Sequence, residues 1–182
     1  MSDQEIGKKM AERIDLEYFL DAYKQVTGKK LSIVNDGERP DFICRQPNGL
    51  KVGIELTKVM RDPESAFWDS TFYRQQYMSV TDALDNIYLV IERKEGERKK
   101  ADWSYANNTI LVLQLTDCPI TDLEWFIDYS LQSDFSSHGF VEVWLADYTG
   151  SKAFGDIELF GIYPPERWGY YQRQNPYRKP YG

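Results

Sequence analysis

The chain has 182 residues, 29 of them acidic and 22 basic, for a formal net charge of −7 at pH 7. That length suits one domain, which typically runs to ~100–200 residues. Its 42% apolar content supplies a core and excludes a disordered chain. Two Cys cannot build a disulfide framework or a Cys-rich zinc site, and a single His disfavours the usual zinc-hydrolase ligand sets and a Ser-His-Asp triad. Chemistry, if present, then rests on carboxylates, Lys, Tyr and Ser/Thr.

Residues 1–28 read as helix. Ser2 and Glu5 have capping-box spacing, and Asp15 is placed to cap a second start. Leu16, Phe19, Leu20 and Tyr23 recur at the spacing of one buried face, and Gly28 ends the pattern. Three strand-like runs follow. Leu31–Val34 is closed by the Asn35-Asp36-Gly37 turn, while Phe42–Arg45 and Leu50–Thr57 flank Pro47-Asn48-Gly49 as a hairpin. Asp62-Pro63-Glu64 is a helix-start signal. A stronger helix begins near Thr81, carries the stripe Leu84, Ile87, Tyr88 and Ile91, and runs into the charged segment Glu92–Lys100. A solvated face is the simplest reading of that segment.

Thr109–Leu115 reads as a buried strand. Thr121 and Glu124 open a further helix with the stripe Leu123, Phe126, Ile127 and Leu131. Phe140–Leu145 and Ile157–Ile162 close the pattern as two strands. The order α-β-β-β-α-β-α-β-β predicts a mixed α/β sandwich, one domain over residues 1–182. Its tail, 163–182, interleaves Trp168, Tyr170, Tyr171, Tyr177 and Tyr181 with Arg167, Arg173, Arg178 and Lys179. Such a tail suits nucleic-acid contact, but packing across its own domain as cover for a sheet edge is the stronger expectation.

The remaining signals are bland. No apolar run approaches the ~20 residues of a membrane span, and the N-terminus lacks a signal-peptide pattern, so a cytoplasmic protein is expected. His138, in a turn-like segment, reads as a surface residue; Cys44 and Cys118 read as small buried apolar residues. The acidic balance disfavours non-specific coating of nucleic acid and leaves room for a locally basic cleft.

The informative stretch is Pro40-Asp41-Phe42-Ile43-Cys44 followed by Gly53-Ile54-Glu55-Leu56-Thr57-Lys58. Asp41 opens one strand and Glu55 lies in the next, so hairpin pairing lets their side chains converge. Two close carboxylates among apolar neighbours either retain a proton or bind a hard divalent cation.

In these residues and in the α-β-β-β-α-β order of about residues 1–115, the sequence resembles the PD-(D/E)xK nuclease superfamily. That resemblance implies a three-layer restriction-endonuclease-like core with an extra helix and two further strands. It implies a magnesium-dependent (or manganese-dependent) nuclease acting on the phosphodiester bonds of nucleic acid. Asp41 and Glu55 would be metal ligands, with the Leu56 carbonyl a third and Glu17 of the first helix a fourth; Glu12 is also available for that role. The motif Lys, however, is replaced by Thr57. Lys58 lies on the opposite strand face by alternation. Relatives can carry the Lys on the following helix, which makes Lys94 the candidate catalytic Lys and Lys51, sharing Glu55's parity, the next. The alternative is a catalytically inactive relative serving as a protein-interaction or nucleic-acid-binding module. No membrane partner is expected, and a homodimer is compatible with the sequence.

Overall fold

The computed structural model describes residues 1–59, 80–100, 102–116, 119–120 and 139–171. The expected helix start at Asp62-Pro63-Glu64, the helix from Thr121, Cys118, His138 and the tail cations Arg173, Arg178 and Lys179 lie outside the described residues.

Helix α1 (Asp3–Thr27) starts on the expected capping box, both halves of which form: Ser2 N donates to Glu5 Oε2 at 2.7 Å, and Glu5 N to Ser2 Oγ at 3.3 Å. Gly28, at φ 73°, takes the left-handed end and donates to the Lys24 carbonyl. Asp15 does not cap a second start. It lies mid-helix, where its carboxylate accepts from buried Gln114 Nε2 at 3.0 Å. An uninterrupted backbone ladder leaves no open amide at this point for it to cap.

Seven strands form one mixed sheet in the order β1-β2-β3-β4-β5-β6-β7. Strands β1 (Ser32–Asp36), β2 (Phe42–Arg45) and β3 (Lys51–Val59) form an antiparallel meander. Strands β4 (Thr109–Leu115) and β5 (Glu142–Asp147) join β3 in parallel. Strands β6 (Glu158–Tyr163) and β7 (Gly169–Tyr171) continue antiparallel from β5. Helix α2 (Val80–Lys100) lies between β3 and β4 in the chain, and the single turn α3 (Ser151–Phe154) between β5 and β6. Two strands were expected after β4, and the described residues contain three. The third, β7, is only three residues long and rises from the aromatic tail, too short to show an alternating pattern.

A helix covers each face. Leu16, Phe19 and Tyr23 of α1 pack with Val52 and Ile54 of β3 and Ile110 and Val112 of β4. Ile87 and Ile91 of α2 pack with Val59, Leu111, Leu113 and Leu115. Every residue of β4 is buried, as expected of a central strand with both faces covered. Among the described residues, no helix is long and apolar enough to cross a membrane.

The described part of the tail, residues 163–171, packs on its own domain and supplies the edge strand β7, while Tyr177 and Tyr181 lie outside the described residues. Trp168 meets Phe160 edge-on at 5.3 Å between ring centroids, and Tyr171 lies 5.8 Å from Trp144. Tyr171 Oη donates to the Arg167 carbonyl at 3.1 Å. These rings are occupied in packing.

Candidate active site at the end of β2

The site is built where β2 ends and β3 continues. Phe42 pairs with Ile54, the last register pair of the β2–β3 hairpin, so β3 beyond it has no antiparallel neighbour. Its Leu56 amide would be left open on that side, and the Asp41 carboxylate takes the place of a strand: Leu56 N donates to Asp41 Oδ2 at 2.8 Å. In return, Asp41 N donates to Glu55 Oε2 at 3.2 Å. A strand residue presents its N–H and C=O to the same edge, so the Leu56 carbonyl shares the open edge beside Asp41.

Two glycines hold Asp41 there. Gly37 N donates to the Asp41 carbonyl at 2.7 Å, closing the turn, and the Pro40 carbonyl occupies the space a side chain at 37 would need. Pro40 lies against Gly53 of β3, where a Cβ would fall 2.5 Å from Pro40 Cγ and 2.7 Å from Thr109 Oγ1. Pro40 thus seats the start of β2 on β3.

Alternation sends Val52, Ile54 and Leu56 toward α1 and Glu55, Thr57 and Val59 toward α2. Glu55, buried on that face, meets the α2 side chain that continues the Ile87–Ile91 stripe: Lys94 Nζ lies 2.8 Å from Glu55 Oε1 and 3.1 Å from Glu97 Oε2. An ammonium has three donors, so one remains beyond these two carboxylates. Two residues on from Glu55 and facing the same way, Thr57 is buried, with a long 3.5 Å contact from Arg93 Nη2.

The electrostatics follow from burial. Asp41 is pushed up to about 7, first by burial and then by the Glu55 charge; the Leu56 amide bond opposes this, and the Glu12 charge adds to it. Glu55 is also raised, because burial outweighs the relief from Lys94. Burial acts to lower the Lys94 pKa, but the bonds to Glu55 and Glu97 prevail and the ammonium is held above its ordinary range. Both carboxyls are thus held above their ordinary range, and the direct ion pair with Lys94 relieves Glu55.

These donors fit a hard cation. Among the described residues no group of three or more His, Cys, Asp or Glu side chains is arranged to hold a metal; the carboxylates that converge here are Asp41 and Glu55. Magnesium accepts one or two carboxylates, with waters and substrate oxygens completing its shell. Asp41 and Glu55 would hold it, with the Leu56 carbonyl on the same edge. Asp41 offers Oδ1, which accepts no hydrogen bond among the described residues.

The other candidates separate. Glu17 is exposed, pairs with Arg13 at 3.6 Å and lines a surface hollow with Leu20, Lys24 and Lys30, away from Asp41. Glu12 is the α1 acid whose charge reaches Asp41. The signal was present in the sequence: Glu12 precedes Leu16 and Phe19 by four and seven residues, on the buried stripe, whereas Glu17 is off it. Glu97, one turn beyond Lys94, was not singled out beforehand, although i,i+3 spacing places it on the same face. Lys58 is exposed on the α1 side of β3. Lys51 is exposed at the start of β3, four residues and roughly 13 Å of strand from Glu55. Arg167 lies beside β6, three strands from β3 and about 14 Å across the sheet. Cys44 is buried, its thiol pushed up to about 12 by burial, and takes no part.

Comparison with protein-family models, with curated proteins and with solved structures returns no match to this chain. The class that the coordinates define is a mixed α/β protein with an N-terminal helix, a seven-stranded sheet with β3-β4-β5 parallel, and a central helix.

Proposed function

We propose that this chain is a magnesium-dependent nuclease of the restriction-endonuclease-like, PD-(D/E)xK type, in which Lys94 replaces the motif Lys lost at Thr57. The observation that supports this reading is the 2.8 Å approach of Lys94 Nζ to Glu55, beside Asp41, from the helix that follows the motif strand. The order α1-β1-β2-β3-α2-β4 along the chain also supports the reading.

A divalent cation bound here supplies Lewis acidity and a more acidic water. The chain's own groups do the rest. Asp41 and Glu55 would hold the cation. Lys94, kept protonated by its two carboxylates, offers its remaining N–H to the charge that develops on the phosphodiester. Thr57, neutral and buried, contributes no charge.

A second reading, a non-catalytic relative, draws on the same ion pair: Lys94 already neutralises Glu55 and so makes the site self-sufficient without a cation. Cleavage of single- and double-stranded DNA and RNA with magnesium or manganese separates the two. The nuclease cleaves at least one substrate, and Asp41→Ala and Glu55→Ala abolish turnover. Activity surviving in both variants assigns it elsewhere; binding without cleavage by wild type supports the non-catalytic relative.

A further inference from the structure

The outward side of α1 is apolar where a helix face normally meets water. Its inward stripe is Leu16, Phe19, Ala22 and Tyr23. On the opposite side Ile6, Met10 and Ile14 recur at intervals of four and stand 42%, 62% and 52% exposed. With Met1, Arg13 and Asp36 they border an open hollow of about 310 Å³. Isolated exposed apolar residues are ordinary, but a contiguous stripe marks an interaction surface. Gly7 lies on the same side, and a Cβ built there would meet nothing within 4 Å. A helix-interior glycine costs up to ~1 kcal/mol against alanine. Among the described residues nothing fills that space, which leaves room for close approach by another backbone.

We propose that this face is the interface of a symmetric homodimer, in which α1 packs antiparallel against α1 of a second copy. Charge selects both occupant and register. With the two-fold axis level with residue 8, Ile6 comes level with Met10 of the partner subunit, and Asp3 with Arg13 of the partner subunit. Symmetry makes each contact twice. Gly7 then lies next to the axis, where the backbones come closest. With the axis at residue 10 instead, Asp3 would meet Glu17 of the partner subunit, two like charges at the rim. Arg13 pairs within its own chain with Asp36 at 3.4 Å and Glu17 at 3.6 Å, but all three side chains are exposed and such surface pairs are weak enough to exchange. The spacing of four in the apolar stripe suits ridge-into-groove crossing along the i±4 rows.

Sedimentation equilibrium of the full chain tests this, with circular dichroism to verify the fold. Wild type is expected to have dimer mass. Met10→Lys, at a site exposed in the single chain, is expected to give a folded monomer. Asp3→Arg and Arg13→Asp should each weaken association by about tenfold or more, and the two together should restore it. A monomeric wild type overturns the proposal, whether or not it partitions onto phospholipid vesicles. So does a dimer that survives Met10→Lys, or charge reversals that weaken association singly and are not rescued in combination.

Discussion

Replacing Asp41 by Asn should stabilise this protein above neutral pH, because the carboxyl stands where folding works against its charge. Its pKa rises from 3.8 to about 7 in the folded chain, driven by burial and the Glu55 charge. A raised acid favours the native state while it is protonated: that contribution is fully present below its unfolded pKa and is lost as pH climbs through its folded pKa. The window therefore runs from about pH 4 to about pH 8. Each tenfold change in proton affinity is worth about 1.4 kcal/mol, so complete ionisation costs on the order of 4 kcal/mol, an upper bound for a group that keeps some contact with water. That is a large share of the ~5–15 kcal/mol by which domains are stable. Asn keeps an oxygen for the Leu56 amide and has no charge to desolvate. Urea unfolding of wild type and Asp41→Asn at steps across this window should give curves that agree near pH 4 and diverge by up to ~4 kcal/mol near pH 8, a melting difference of roughly 8–16 °C. Magnesium at pH 8 should narrow the gap by stabilising wild type alone. Parallel stability curves across the window would refute the burial account of Asp41. An Asp41 carboxyl resonance titrating near 3.8 would do the same.

Lys94→Ala should lower nuclease turnover by about 10²–10³ at saturating metal, the usual effect of losing one electrostatic contact to the transition state, while Lys58→Ala stays near wild type. Wild-type rates in Lys94→Ala would remove Lys94 from the mechanism. Glu12→Gln should lower the Asp41 pKa, and Glu17→Gln should leave it unchanged; carboxyl NMR titration reads both. Gly53→Ala forces a Cβ to within 2.5 Å of Pro40 Cγ and should cost about 1–3 kcal/mol by urea unfolding, with loss of the Asp41–Leu56 contact. Retained stability in that variant would show that Pro40 has room to move.

Local rules were enough for much of this chain. The capping box and Gly28 delimit α1, a β-branched and largely apolar run marks β4, and the Pro47-Asn48-Gly49 turn sets the register that brings Asp41 level with Glu55. These are short-range effects: backbone amides near a helix end, glycine's access to positive φ, and the period of two along a strand. The alternation that excluded Lys58 from the site is of the same kind. Short-range rules failed where a partner distant in sequence decides. Asp15 looked like a helix cap until Gln114, 99 residues away, supplied its hydrogen bond. Glu92–Lys100 looked like a uniformly solvated face, yet Lys94 is only 15% exposed, because the Ile87–Ile91 stripe carries it over the sheet to Glu55. Sequence could nominate that lysine; only the packing of α2 on β3 could bring its ammonium to the carboxylate. Burial there, which depends on every layer at once, is also what lifts Asp41 toward neutrality, and no local pattern encodes it.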